Sequence, residues 1–126
     1  MEAKVYVPQV TMRFEPNEPL VRGVTLERNN GTGRMVPAYN FESVKEYGEI
    51  TTILEADQNP FVSGVVVPKL KAALANFDPA NDYLLATGEP IIIGLCIGII
   101  MEKSDSFKAL KWNRKWKKYT IMRIEL

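Results

Sequence analysis

The sequence predicts a small three-layer α/β domain, built on a mixed, mostly parallel sheet with two main helices and a C-terminal antiparallel hairpin. Three observations predict it. Between residues 49 and 112, segments with strand and helix character alternate as strand, helix, strand, helix, strand, which implies parallel pairing through crossover helices. Two segments carry a proline suited to a first helical turn, Pro68 and Pro90. The last two strand-like segments, "FKALKW" and "KYTIMRIEL", are joined by a polar tip and pair most simply as a hairpin. With 126 residues, two domains would each approach the size at which a single core is marginal, so residues 1–126 are expected to form one domain.

Taken in order, "KVYVPQVTMRF" alternates β-branched and aromatic residues around Pro8 and reads as a strand near an edge, since proline cannot donate to a ladder. "EPNEP" (residues 15–19) is a loop. A turn at Asn30 and Gly31, where left-handed angles cost little, joins Val24 and Leu26 to Met35 and Val36 as a hairpin. "NFESVKEYGE" predicts about two turns of helix, with Asn40 as N-cap and Gly48 at its stop. "EITTILEA" (residues 49–56) is a buried strand. In "PKLKAALANF" the spacing of Leu70, Ala73, Leu74 and Phe77 is helical, and Asp78-Pro79 ends the helix. Residues 83–86 form a short strand. "PIIIGLCIGIIM" (residues 90–101) favours a buried helix, with Gly94 and Gly98 one turn apart, permitting close approach to a sheet.

Charge is divided unevenly. Residues 1–100 carry 8 basic and 12 acidic side chains, a net of −4, whereas residues 101–126 carry 8 basic and 3 acidic, a net of +5. The C-terminal quarter is thus a separate electrostatic surface. Cys96 is the only cysteine and there is no histidine, which removes disulfide frameworks, the usual zinc clusters and histidine acid–base chemistry. No cofactor is implied. The N-terminal ten residues do not resemble a secretory signal. The apolar run at residues 90–101 falls short of the roughly 20 residues of a spanning helix, so no membrane is expected.

The combination "KVYVPQV", "YGEI", "DYLLATGEPIIIGL" and "LKWNRK" with its following tyrosine resembles a group of small proteins encoded by tailed bacteriophages. The likeness covers most of the chain outside roughly residues 15–40 and brings no catalytic or binding residue with it. It implies a phage accessory protein in the host bacterial cytoplasm, acting on phage DNA or RNA or against a host component.

The stretch "KWNRKWKKY" (residues 111–119) is the strongest candidate site. Lys108, Lys111, Arg114, Lys115, Lys117 and Lys118 fall in a window, residues 107–119, that contains no acid. Cations beside flat rings suit single-stranded nucleic acid: phosphates pair with the lysines, and bases stack on Trp116, with Trp112 and Tyr119 as further faces. Trp116, flanked by charges, is expected to be the more exposed tryptophan. The same residues also fit two other readings. In one, Trp112 and Tyr119 cover one end of the sheet while the lysines keep an exposed strand soluble and block edge-to-edge pairing; in the other, the patch meets an acidic host protein, an enzyme or defence factor that it inhibits.

A second candidate is "LLATGEP", where Thr87 and Gly88 stand at a strand-to-helix turn of the kind that receives anions. It would make the chain a nucleotide-binding or sequestering domain. Against this, the turn lacks dinucleotide and P-loop patterns, has no cation, and Glu89 would repel phosphate. "NNGTGR" (residues 29–34) reads as a hairpin tip. Glu55, Asp57, Asp78 and Asp82 lie near element ends, where two converging carboxylates would be needed to hold Mg²⁺; solvated surface is the simpler reading. Cys96 is a small core residue. With no catalytic constellation, the expectation is a binding protein, not an enzyme, contacting single-stranded nucleic acid or an acidic host protein, with an edge strand available for a homodimer.

Overall fold

The structure, a computed structural model, describes residues 2–10, 12–16, 33–37, 42–55 and 63–126. The chain divides into two compact units, one formed by Met1–Val10 with Phe41–Leu126 and the other by Thr11–Asn40. In the smaller unit, strands β2 (Met12–Pro16) and β3 (Gly33–Pro37) pair antiparallel, with Phe14 opposite Met35. Met35 and Val36 therefore pair with β2. The expected hairpin arm at Val24 and Leu26 and its Asn30-Gly31 turn lie outside the described residues.

The larger unit is a five-stranded sheet with the order β4-β1-β5-β6-β7, where β1 is Lys4–Gln9, β4 Glu49–Leu54, β5 Tyr83–Leu85, β6 Ser106–Asn113 and β7 Lys118–Glu125. β1 runs parallel to β4 and β5, β5 is parallel to β6, and β7 turns back antiparallel. Helix α1 (Ser63–Leu74) connects β4 to β5 and helix α2 (Pro90–Met101) connects β5 to β6. This is the α/β architecture expected, with its mostly parallel sheet and C-terminal hairpin.

Alternation along the strands sorts side chains onto two faces. Tyr6, Leu84, Phe107 and Ala109 face one side and are buried with Val66, Leu70 and Leu74 of α1 and Ile92, Cys96 and Ile100 of α2. Both α-helices thus cover the same face. Val5, Val7, Leu85, Leu110 and Tyr119 face the other, where their cover is Val44 and Tyr47, from a 3₁₀ turn at Glu42–Val44 and the bend after it. The layers are unequal, and one face of β6 and β7 lies mostly open: Trp112, Ile121 and Arg123 are exposed on it.

Five features depart from the sequence reading. The single strand expected over "KVYVPQVTMRF" is two strands in separate sheets, β1 and β2, and β2 takes in Glu15 and Pro16 of the expected loop. β1 is an interior strand; Pro8 is accommodated because pairing with β5 ends at Tyr6 opposite Leu84. The predicted two-turn helix before Gly48 is a 3₁₀ turn of three residues. Gly48 is where the backbone comes closest: a Cβ there would run into the Ala3 carbonyl, which already accepts the Glu49 amide at 3.0 Å. α1 begins at Ser63, so Pro68 sits inside it. Its missing N–H costs the bond to the carbonyl of residue 64, which is exposed and open to water. Gly94 and Gly98 face solvent, not the sheet, because Ile92, Cys96 and Ile100, four residues apart, take the core side of α2.

Candidate nucleic-acid interface

The C-terminal ribbon is the best-paired part of the sheet. Eight residue pairs join β6 and β7, from Ser106 opposite Glu125 to Asn113 opposite Lys118, leaving residues 114–117 as a four-residue tip. Asn113 closes the turn: its Oδ1 accepts from the amides of Lys115 at 3.0 Å and Trp116 at 3.1 Å. This is the side-chain mimicry of a backbone turn for which asparagine is favoured. Lys117 takes a left-handed conformation with φ of 51°.

This geometry divides the predicted residues. Arg114, Lys115, Trp116 and Lys117 occupy the tip, all exposed, and Trp116 is the more open tryptophan at 62% against 42% for Trp112. Lys118 Nζ lies 5.5 Å from the centre of the Trp116 ring, a cation over a π face. The pleat sends Lys111 and Lys118 to one side of the ribbon and Lys108, Trp112 and Tyr119 to the other. No ion pair links the tip cations to any described residue.

Tyr119 is a correction. At 3% exposure it is core, its ring edge-on to Trp112 with centroids 5.1 Å apart, and so it supports Trp112 instead of offering a stacking face. Its carbonyl accepts the Tyr47 hydroxyl at 3.1 Å. Burial, helped by the neighbouring Glu46 carboxylate, pushes the Tyr47 hydroxyl up from its usual range, so it stays a donor. Tyr47 also meets Tyr83 edge-on at 5.5 Å, and Lys108 Nζ lies 4.3 Å from the Tyr83 ring centre. Tyr47 and Tyr83 were not singled out by sequence, since nothing local marks the side chains that brace a distant ribbon.

The strand-to-helix turn does not offer an anion site. Gly88 has the positive φ, 110°, that its turn requires, and Thr87 is buried with its amide donating to the Leu85 carbonyl at 2.9 Å. The free amides at the start of α2 are taken by the chain's own carboxylate: Glu89 Oε2 accepts from Ile91 at 2.7 Å and Ile92 at 3.1 Å. An incoming phosphate would have to displace that carboxylate. Thr87 and Gly88 therefore serve the connection.

Of the predicted acids, Asp82 is engaged by the backbone. Asp82 is 5% exposed and its two oxygens accept the Lys4 and Asp78 amides, each at 2.9 Å, tying the start of β1 to the loop before β5. Among the described residues no three His, Cys, Asp or Glu side chains cluster; Asp57 lies outside them. Cys96 is buried and its thiol is pushed up to about 12 by burial, which keeps it protonated at neutral pH. None of the described helices is long and apolar enough to cross a membrane.

Comparison with curated proteins finds no match, and neither does comparison with solved structures. The family model described as Phage Pam3 gp32-like protein matches residues 3–126, which takes in every strand and helix above and the basic ribbon. The chain belongs to the Phage Pam3 gp32-like protein family.

Proposed function

We propose that the protein binds single-stranded nucleic acid through the tip of the β6–β7 ribbon. The carrying observation is Trp116, 62% exposed and surrounded by cations that no described carboxylate neutralises. Lys111, Arg114, Lys115, Lys117 and Lys118 contact phosphates, and Trp116 takes a base, with Trp112 as a smaller second platform. A left-handed lysine adds support. Sterics favour glycine or asparagine at such a position, so Lys117 holds a charge where a neutral residue would cost less. Binding is directed to the backbone and tolerant of sequence, because every base has a face to stack and the lysines read no base edge.

Fluorescence anisotropy of labelled single-stranded and duplex oligonucleotides tests this. Five phosphate contacts give a slope of about −3.5 for log affinity against log salt, a loss of roughly a hundredfold between about 50 and 200 mM. Lys115→Glu combined with Lys117→Glu is expected to lower affinity at low salt by about a hundredfold and to flatten that slope. Unchanged affinity and slope in the double variant would refute the proposal.

A further inference from the structure

The register of the ribbon sets Lys108 directly opposite Arg123. Like charges facing each other across two strands destabilise the pair, and no described carboxylate forms an ion pair with either of these. Lys108 rests over the Tyr83 ring, while Arg123 is exposed and makes no hydrogen bond or ion pair among the described residues. A third cation approaches from the end of α2. Lys103 Nζ donates to the Leu74 carbonyl at 2.7 Å and the Ala75 carbonyl at 3.2 Å, which anchors it at the C-terminal end of α1.

These three cations line one cleft of about 440 Å³ together with Ser104, Ser106 and Asp78. The Ser104 hydroxyl donates to the Ser106 carbonyl at 2.7 Å, and Asp78 Oδ1 accepts the Ala80 amide at 3.0 Å within its own turn. Three positive charges against one carboxylate leave the cleft at net +2. We infer that this cleft holds a phosphate group, with the Arg123 guanidinium as its two-pronged contact and Lys108 and Lys103 as the flanking cations. A tetrahedral anion offers each of them an oxygen, and arginine's planar fork suits two oxygens of one phosphate. Occupancy would also remove the repulsion between Lys108 and Arg123.

The phosphate has two sources. It is a backbone phosphate of the strand held at the tip, which rests on the reading above, or it belongs to free phosphate or a small phosphorylated molecule, which does not. The Lys108–Arg123 pair lies five register steps from the Asn113–Lys118 pair. That is about 17 Å, the span of roughly five stacked nucleotides. A trinucleotide cannot reach both places; a dodecanucleotide can.

The experiment compares the full chain, Arg123→Ala and the tip variant Lys115→Glu/Lys117→Glu. Anisotropy follows a labelled thymidine trinucleotide and dodecanucleotide, and NMR follows the resonances of Arg123, Lys108 and Ser106 during titration with inorganic phosphate. Arg123 is exposed, so its replacement leaves folding intact, checked by thermal unfolding. If the source is the strand, Arg123→Ala weakens dodecanucleotide binding about tenfold, lowers the salt slope by about 0.7 and leaves the trinucleotide unaffected. If the source is a free phosphate, cleft resonances shift with phosphate in the full chain and in the tip variant, but not in Arg123→Ala. Should Arg123→Ala change no affinity and phosphate move no cleft resonance, the inference is overturned, even where the tip still binds oligonucleotide. Full-length chain that binds no oligonucleotide refutes the tip, and the phosphate arm alone then decides the cleft.

Discussion

Two turns of this chain look like anion sites in sequence, and the structure treats them in opposite ways. At the start of α2 the amides that would receive a phosphate already hold the Glu89 carboxylate. At the tip of the ribbon, Asn113 satisfies the turn's amides, and the cations around it have no carboxylate partner among the described residues. Both turns are thus complete as local structure, but only one leaves charge unmatched. The lesson is that a helix start or a loop rich in turn residues says little about ligands until its donors and charges have been paired off; the remainder is what can act on another molecule.

The sharpest way to break this comparison is Trp116→Ala. If the tip acts through a stacked base, the substitution costs about 1–3 kcal/mol of binding, a loss of roughly 5-fold to 150-fold, with the salt slope unchanged because no phosphate contact is removed. Trp112→Ala should cost less affinity and more stability, since that ring packs on Tyr119. No loss at Trp116 would place the tip with the capped turn as structure alone.

How much of this was legible follows from the range of the forces involved. α2 was readable from residue 90 to 101 because Pro90 and an unbroken apolar run are local signals, and the two ribbon strands were readable from their own composition. The start of α1 was misplaced because Pro68 carries a strong helix-start signal, while tertiary packing of Val66 extends the helix before it. The outward placement of Gly94 and Gly98 was not legible: a helix apolar all round gives no moment to show which side meets the sheet. Which of its two readings Tyr119 would take, stacking face or sheet cover, was not legible for a related reason. Its face depends on the register of the ribbon, and that register is set by the length of the tip. The same register places Arg123 opposite Lys108, so the cleft's central cation could not be found before the turn at residues 114–117 was known. The exposure of Trp116, by contrast, followed from its charged neighbours.

The capped turn has its own test. Replacing Glu89 by alanine frees the Ile91 and Ile92 amides of their acceptor and removes a negative charge from the positive end of α2. The expected loss is about 1 kcal/mol of stability, with the unfolding temperature lowered by about 4 °C. Glu89→Gln retains an acceptor and should lose about half as much. If Glu89→Ala unfolds at the same temperature as the unaltered protein, the carboxylate is not acting as the cap, and the contrast between the two turns disappears.

The smallest effect separates conformation from charge at the tip. Lys117 lies at a φ where a side chain costs roughly 1 kcal/mol and glycine costs nothing sterically, although glycine has more freedom to lose on folding, roughly 0.5 kcal/mol. Lys117→Gly is therefore expected to raise stability by about 0.5 kcal/mol, about 2 °C in unfolding temperature. It also removes one cation, so the salt slope of nucleic-acid binding should fall by about 0.7 while affinity drops a few-fold. Stability and binding then move in opposite directions. A variant that is more stable and binds as tightly as before would mean that the left-handed lysine serves neither, whereas the paired change identifies a residue whose conformational strain is the cost of placing charge beside Trp116.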